Sequence, residues 1–570
     1  MLLLGNDTES TTARLGTLAL TRPLLDKLRL AEIVDRLAPA DPQQEFPHGQ
    51  VLAALLAARL DRPLALVNVQ AWAADFNTEL LFGIPPDKLN DDRLGRSLDA
   101  LFDIRHSLTA AVVHEAMRWA EVQPNCIHFD PTEITFFGRY DDSEPRTVAP
   151  KLPHDNLLPP AFLTRDYKSG QVSVQLGITA HVDDLGALPI SILCYDGNRN
   201  GHTGIRDQLQ LLHEFHTFPQ ETLMVSDRGT FSAEHLIRLK SYGQTALCAV
   251  PWNDYRDLFD THRAQLNWQP ASFLSQEQQR RRDTGSSLPH DSYRLAVLRH
   301  QLTSRESKET IDCRVIFVHS TASEREERIR REENIVKIRA GLTELAAKLQ
   351  RGHPQSTTES LTRQVVRLLG KKDAAQFFSW QMVPLTVAER EALPPPRKGF
   401  TRPTHRLEWS FDETAAAVAP HADGISVMVT TAPLAKSADG LFTQYKKQCY
   451  VERMHHQMKT PLAVSPVFLK TPERVEALIH LLALGLIAQQ AAERVFRQRE
   501  SAATATRDRT TSDQLWDAFR SVNVVLEHEP NGDIVIRPTR LSTAARHILH
   551  VLGLASPREC MRTHHPPKID

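Results

Sequence analysis

The sequence has no unbroken apolar run of the roughly 18 residues that a membrane-spanning helix needs. Its longest candidate, residues 478–491, is interrupted by His480 and Gln489, which favours a helix buried in a protein core. Residues 7–12 are acidic and polar, whereas a secretory signal begins with basic residues followed by apolar ones. These absences predict a cytoplasmic protein with no membrane partner.

Closely spaced cysteines are also lacking, because the six cysteines are scattered without any CxxC pair. Their scatter argues against a zinc ribbon and against a disulfide framework. Neither GxGxxG nor GxxxxGK[ST] occurs, so a phosphate-cradling nucleotide site is not supported. The 25 histidines are dispersed, and a solvated or capping role is expected for each, including the adjacent His455 and His456.

An overall excess of basic charge, which binding to nucleic-acid phosphates favours, is missing, since the formal net charge is -1. The charge is unevenly distributed, however. Residues 430–570 carry more Lys and Arg than Asp and Glu, whereas residues 1–120 are slightly acidic. This asymmetry permits a basic working surface in the C-terminal part of the chain.

The N-terminal fifth of the chain has the apolar periodicity of helices. Apolar residues recur at three- and four-residue spacing in residues 23–37, 49–60 and 91–119. Asp91 and Asp92 are expected to supply the N-cap and a favourable first-turn charge of the third helix. The pattern predicts an all-α N-terminal domain. At 570 residues, the chain is long enough for two to four domains.

From Cys126 onward the sequence becomes β-branched and aromatic, with alternating apolar and polar residues. We predict strands at residues 126–137, 171–182, 188–195, 222–226 and 245–250, and helices at residues 207–215 and 232–242. Three adjacent strands followed by alternating helices and strands predict an α/β fold with a ribonuclease-H-like mixed sheet. A doubly wound nucleotide-binding fold would alternate from the start.

The residue pattern changes after Pro251. We predict helices at residues 324–349 and 357–370 and a strand at 407–411 in this segment. We interpret it as an inserted domain. A strand at 424–431, long helices at 441–458 and 471–497, a hairpin over 524–538 and a short helix ending near Leu552 are predicted after it. The predicted domains are 1–122 (helical), 123–251 (first part of the sheet domain), 252–422 (inserted), 423–500 (second part of the sheet domain) and 501–570 (tail).

Two aspartates stand where the predicted sheet could bring them together. Asp130 interrupts the first strand, and Asp227 directly follows the fourth. Each alone is more simply explained as a strand-end residue that caps a turn. In the ribonuclease-H topology strands one and four are neighbours, so the two carboxylates would meet. Hard divalent cations prefer such oxygen ligands.

A third acid lies on the helix predicted at residues 441–458. Tyr445, Glu452 and Lys459 are spaced by seven residues and share one helical face, which Gln448 joins. The spacing alone favours a solvated surface heptad.

The run Tyr445-x2-Gln448-x3-Glu452-x6-Lys459 resembles the Y-x2-R-x3-E-x6-K signature of insertion-sequence DDE transposases. Further runs that resemble the same family, in order along residues 20–495, are 89–99, 129–133, 196–198, 466–469 and 471–477. The resemblance implies a ribonuclease-H-like catalytic core behind a helical N-terminal domain. It also implies that Asp130, Asp227 and Glu452 are catalytic and bind two Mg²⁺ ions, for which Mn²⁺ can substitute.

The same resemblance implies the partners. Tyr445, Gln448, Arg453 and Lys459 are expected to contact double-stranded DNA, meaning the terminal inverted repeats and the target. A homodimer is expected because two ends must be held together, with the protein on the nucleoid when DNA is bound. The N-terminal helices are expected to bind DNA ends or to mediate dimerisation.

The signature arginine is replaced by Gln448, which removes a charge and a bidentate phosphate donor. Two alternatives to an active transposase therefore stay open. One is a catalytically silent, transposase-derived DNA-binding protein. The other is a ribonuclease-H-fold nuclease that cuts DNA without joining it.

Overall fold

The fold is taken from a computed structural model. It describes residues 10–137, 148–150, 163–165, 171–195, 201–283, 285, 291–351, 357–370, 373–393, 395, 398–399, 401–459, 469, 471–504, 508–528 and 534–561. Residues 196–198 and 466–468, which carry part of the family resemblance, lie outside these ranges. So does the centre of the predicted hairpin, residues 530–532.

The N-terminal region is mainly helical, as predicted, but it begins with a strand. Its elements are β1 (Ser10–Arg14), α1 (Leu18–Lys27), α2 (Leu30–Leu37), α3 (His48–Asp61), α4 (Val69–Asp75), α5 (Glu79–Phe82) and α6 (Asp91–Trp119). The single helix expected over residues 23–37 is wrong, because Arg29 adopts a left-handed conformation (φ 55°) between α1 and α2. Helix α6 has the predicted bounds, but its N-cap is Asn90, whose side chain accepts from the Arg93 amide.

The sheet region follows the predicted order closely. Its elements are β2 (Cys126–Phe137), β3 (Val148–Pro150), β4 (Leu163–Arg165), β5 (Gln171–Asp183), β6 (Gly186–Tyr195), α7 (Gly201–Phe215), β7 (Leu223–Ser226), α8 (Ala233–Ser241) and β8 (Thr245–Val250). The five principal strands lie side by side in the order β6, β5, β2, β7, β8. Strand β2 is antiparallel to β5 and parallel to β7, so the first and fourth predicted strands are neighbours, as expected.

The segment predicted as an inserted domain is divided between two structures. Its elements are α9 (Arg256–His262), β9 (Gln269–Pro270), α10 (Gln276–Asp283), β10 (Tyr293–Thr303), β11 (Thr310–Ser320), α11 (Thr321–Gln350), α12 (Thr358–Leu369), β12 (Phe378–Pro384), α13 (Val387–Ala392), β13 (His405–Phe411) and α14 (Glu413–Val418). Strands β9, β10 and β11 continue the main sheet, whereas α11, α12, β12 and β13 surround a separate small core. The β10–β11 hairpin was not predicted.

After the insertion the chain returns to the sheet and then becomes helical. The elements are β14 (Ile425–Thr430), α15 (Ala438–Lys446), α16 (Gln448–Lys459), α17 (Pro472–Thr504), α18 (Ser512–Asp517), β15 (Asn523–His528), β16 (Ile534–Pro538), α19 (Thr543–Leu552) and α20 (Pro557–Met561). Strand β14 joins β8 to β11. The single helix predicted over 441–458 is wrong, because the helix is interrupted at Lys447 and α16 starts anew at Gln448.

Helix α17 is the central element of the core. By length and composition it could cross a membrane, but 89% of its apolar window is buried inside the protein. It packs against α3 and α6 on one side and β6 on another. Gly485 allows the close approach of α3, since a Cβ there would lie 3.0 Å from the Leu56 side chain. Residues 478–491 are therefore a buried core segment, as predicted.

Candidate active site

Parallel pairing of β2 with β7 brings the two predicted aspartates together. Phe129 is in register with Ser226; Asp130 is the next residue of β2, and Asp227 directly follows the end of β7. Asp227 is exposed, and its Oδ1 accepts a hydrogen bond from the Arg228 amide at 2.7 Å, so it also caps the following turn. Asp130 is more enclosed, with 20% of its side chain exposed.

Helix α16 carries the third acid to the same edge. The helix packs across β2, β5 and β6 with Val451, Met454 and Met458 buried against the sheet. Glu452 lies on its exposed side and is close enough for its charge to act on Asp130. The structure therefore brings together all three sequence-predicted acids.

The electrostatics of Asp130 are those of a crowded anionic site. Burial raises the pKa of its carboxyl to about 7, with further increases from the negative charges of Asp227 and Glu452. A hydrogen bond from Gln448 and the positive charge of Lys459 act in the opposite direction. A carboxylate that is both desolvated and surrounded by like charge is stabilised by a bound cation.

The donor set fits Mg²⁺, which prefers carboxylate oxygens and retains several waters. In the described part of the chain, one group of three metal-type ligands has all its donor atoms within 4.8 Å of one another. None of the three residues belongs to this acidic site. The carboxylates of Asp130, Asp227 and Glu452 are thus spread more widely than a single-ion cluster of that size.

Gln448 occupies the interior of the site instead of reaching outward. Its Oε1 accepts a hydrogen bond from Nδ1 of the buried His128 at 2.7 Å, and its amide donates to Asp130. His128 is two residues before Asp130 on β2, so both side chains are on one face of the strand. Burial lowers the pKa of His128 to about 4, which makes it a neutral donor.

His455 is a further neighbour of Asp130 that the sequence reasoning missed. Its Nδ1 is 3.5 Å from Oδ2 of Asp130, and burial lowers the pKa of the imidazole to about 4. The expected solvated or capping role is therefore wrong for His455. The available signal was the Glu452-x-x-His455 spacing, which places both side chains on one face of a helix.

The residues expected to contact DNA have different surroundings. Lys459 is exposed at the end of α16, and the Tyr445 hydroxyl donates to Asp227 over 3.5 Å. Arg453 is instead paired at 2.7 Å with Glu493, whose carboxylate is buried. This ion pair gives Arg453 a structural role, and nothing in its surroundings supports the predicted DNA contact.

Comparison with known families adds an independent observation. Residues 127–487 match the family described as "Transposase DDE domain", a range that contains all three acids. Residues 10–112 match a family described as a domain of unknown function.

Similarity to individual proteins is weaker. No curated protein matches the sequence. Among solved structures, a cryo-electron microscopy structure of a piggyBac transposase synaptic complex with hairpin DNA aligns at 8% identity and a TM-score of 0.37. The alignment covers 99% of this chain and 86% of that one.

Proposed function

The chain belongs to the transposase DDE domain family, and from this premise we propose that it is the transposase of an insertion sequence. It would cut the ends of its element and join them to target DNA. The observation that carries the proposal is the meeting of Asp130, Asp227 and Glu452 at one sheet edge, in a family of DNA-cleaving enzymes.

In the proposed mechanism Asp130, Asp227 and Glu452 would hold two Mg²⁺ ions. When bound, such ions activate a water or a 3′-hydroxyl and stabilise the leaving oxygen of a phosphodiester. Gln448 orients the Asp130 carboxylate because its amide donates to it, and the His455 imidazole lies 3.5 Å from the same carboxylate. Ordering of this kind around metal ligands commonly changes metal affinity by about 10–100-fold.

DNA is the proposed partner, as the terminal inverted repeats and as the target. Lys459 supports this role because it is exposed and lies beside the acidic site, where it would neutralise a phosphate. Tyr445 lies next to Asp227 and would contact DNA near the cut. The strand order β6, β5, β2, β7, β8 supports a ribonuclease-H-like core.

Higher-order features follow from the same proposal. A homodimer would hold two element ends in one complex, with the N-terminal helices binding the ends or forming the dimer contact. The protein would act in the cytoplasm, on the nucleoid.

A catalytically silent DNA-binding protein is the second candidate, and Gln448 is the observation that favours it. Where the family signature has an arginine, the side chain here is engaged with His128 and Asp130. That network removes a cationic contact with DNA but leaves the three acids in place. The proposal of an active enzyme therefore depends on the acids, and the strength of end binding depends on Gln448.

The deciding experiment uses purified full-length protein and a DNA fragment that contains its gene with both flanks. We expect Mg²⁺-dependent nicks at two flanking positions and transfer of the freed ends into a target plasmid. Asp130→Asn and Glu452→Gln should bind the fragment without cutting it, whereas Glu473→Gln, an exposed site on α17, should behave as wild type.

Each alternative has its own outcome. Binding of the flanks without cleavage in Mg²⁺ or Mn²⁺ would favour the silent DNA-binding protein. Cleavage without any joined product would favour a nuclease.

A further inference from the structure

A second group of metal-type ligands lies between β6 and α17, on elements that do not carry the acidic triad. Cys194 of β6 and Glu476 and His480 of α17 offer donor atoms that all lie within 4.8 Å of one another. Glu476 and His480 are four residues apart and therefore share a helical face. Their chemistry differs from that of the triad, because it combines sulfur, nitrogen and oxygen.

His480 is oriented in the way that metal-binding histidines usually are. Its Nδ1 lies 3.4 Å from Oγ1 of Thr109, and the Thr109 hydroxyl donates its own proton to the Arg105 carbonyl at 2.7 Å. Thr109 can therefore only accept from His480, which places the imidazole proton on Nδ1. A hydrogen bond of this kind on the far nitrogen commonly fixes the tautomer of a metal ligand.

The second nitrogen of His480 is left with a lone pair. Nε2 is buried and has no hydrogen-bond partner in the described residues, and it lies 4.0 Å from Oε1 of Glu476. The side chain is fully buried, which lowers its pKa well below the ordinary value, so the ring is neutral. Two electron-pair donors face each other without a proton between them, an arrangement that a cation would satisfy.

We propose that Cys194, Glu476 and His480 form a binding site for a zinc-type divalent cation. Thiolate and imidazole ligands select Zn²⁺ over Mg²⁺, which takes oxygen ligands and water. Binding would release the thiol proton of Cys194 to solvent, since the thiolate is the ligand.

Two neighbouring side chains complete the surroundings. His106 stands edge-on to His480 with 5.2 Å between ring centroids, and its buried Nδ1 has no partner in the described chain; it lies outside the group of three ligands. Arg105 donates to Glu476 Oε1 at 2.6 Å and would remain as an outer partner of the bound carboxylate. Without a cation, the Arg105–Glu476 pair is an ordinary partly buried ion pair, which is the competing explanation of the cluster.

The site has a route to solvent. Cys194 also lines a surface cavity of about 360 Å³, together with the acidic residues Asp207 and Glu214. An acidic cavity mouth attracts cations. A bound ion would connect β6 to α17, and Arg105 connects Glu476 in turn to α6, so the site would stabilise the junction of the sheet with the N-terminal helices.

The test uses the full chain stripped of metal with a chelator and then titrated with Co²⁺, a spectroscopic substitute for zinc. We expect a near-ultraviolet sulfur-to-cobalt charge-transfer band that saturates at a single equivalent, disappears when Zn²⁺ is added and is unaffected by excess Mg²⁺. Cys194→Ala should lose the band, and the matched Cys560→Ala, a buried cysteine outside the cluster, should keep it.

Two further measurements distinguish loss of the metal site from misfolding and from metal binding at the acidic triad. Zn²⁺ should raise the thermal midpoint of the wild type but not of Cys194→Ala or His480→Gln, because a ligand stabilises only the state that binds it. The band should persist in Asp130→Asn, so that its loss cannot be attributed to the proposed catalytic centre. No band in wild type, or an unchanged band in Cys194→Ala, would refute the site and leave the Arg105–Glu476 ion pair as the explanation.

Discussion

At the scale of single residues, the Asp130 carboxylate lowers the stability of the metal-free protein. Its carboxyl group is mostly enclosed by protein and adjoins two other acids, which together raise its pKa from 3.8 to about 7. The folded protein therefore holds a proton on Asp130 between these pH values that the unfolded chain has lost. Stability from this group falls as pH rises from about 4 to 7 and stays low above 7.

We predict that Asp130→Asn stabilises the metal-free protein while abolishing cleavage. At pH 8 the free energy of unfolding should rise by about 1–3 kcal/mol, because the substitution removes a desolvated charge among like charges. The gain should be smaller at pH 5, where Asp130 is already protonated. Urea unfolding in chelator at both pH values measures it, with the exposed Asp257→Asn as control. An equal effect at both pH values would contradict the proposed charge crowding.

Gln448 influences the same carboxyl group, because its amide donates to Asp130 and its Oε1 accepts from His128. Gln448→Ala should shift the pH at which Mg²⁺ binding is half lost upward, since a hydrogen bond that lowers the Asp130 pKa is removed. It should also cost about 1–3 kcal/mol of stability by leaving the buried His128 nitrogen unpaired. Calorimetric Mg²⁺ titrations from pH 6 to 8 test the shift, with the exposed Gln364→Ala as control. An unshifted pH dependence would show that Gln448 does not act on Asp130.

Lys459 is exposed beside the acids and is the predicted phosphate contact. Lys459→Ala should weaken binding of the element ends and lower the slope of log affinity against log salt by about 1. Fluorescence anisotropy at several salt concentrations measures both, with Lys337→Ala on α11 as a charge-matched control. If the slopes of the two variants agree with that of wild type, Lys459 does not neutralise a phosphate.

At the scale of secondary-structure elements, the position of α16 depends on a buried carboxylate in α17. Glu493 pairs with Arg453 of α16 and with Arg497 of its own helix. It also accepts from the amide of Ser512, the first residue of α18, at 2.7 Å. A single side chain therefore fixes three helices, one of which carries Glu452.

Removing that charge should affect both stability and catalysis. We expect Glu493→Gln to lower the free energy of unfolding by about 2–4 kcal/mol, because it removes the counter-ion of the buried Arg497 and of the partly exposed Arg453. Cleavage by the remaining folded protein should also fall as α16 loses its anchor. Differential scanning calorimetry and the cleavage assay measure the two effects. Glu473→Gln, at an exposed acid on the same helix, should change neither the free energy of unfolding nor the cleavage activity. A similar loss in Glu473→Gln would contradict the proposed anchoring of α16 by Glu493.

At the scale of the whole molecule, the two ends of the described chain are joined in one small sheet. Strand β1 pairs with β15, which pairs in turn with β16. The C-terminal helices make further contacts of this kind: α20 packs against α1, and α19 packs against α17. The hydrophobic core is continuous through the N-terminal helices and the predicted C-terminal tail.

Two adjacent residues of β15 test whether this small sheet is part of the main hydrophobic core. Val524 is fully buried and Val525 is only partly so, because successive side chains of a strand point to opposite faces. Val524→Asp should destabilise the protein by about 3 kcal/mol or more, since it buries an unpaired charge in the shared core. Val525→Asp should cost less than about 1 kcal/mol. Comparable thermal midpoints for the two variants would mean that the sheet does not belong to the main core.

Much of the sheet was predictable because its strands have a local signature. The strands at 126–137 and 245–250 have the predicted bounds, and the two helices between them, α7 and α8, differ from the prediction only at their ends. The β10–β11 hairpin was not predicted, although its first strand alternates polar and apolar residues, because it lies in a segment interpreted as an inserted domain separate from the sheet. Its strand character depends on β14, more than a hundred residues later in the chain.

The sequence by itself determined the family resemblance, the order of the main strands along the chain and the prediction of the three acids, because motif spacing and apolar periodicity are local properties. The tertiary structure decided the burial, the charged neighbours and the hydrogen-bond partners of those residues. Only packing buries Asp130 near two like charges, turns Gln448 inward to His128 and pairs Arg453 with Glu493. It alone also places Cys194 beside His480. Burial and long-range neighbours set the electrostatics of a side chain, and no local pattern in a single sequence records them.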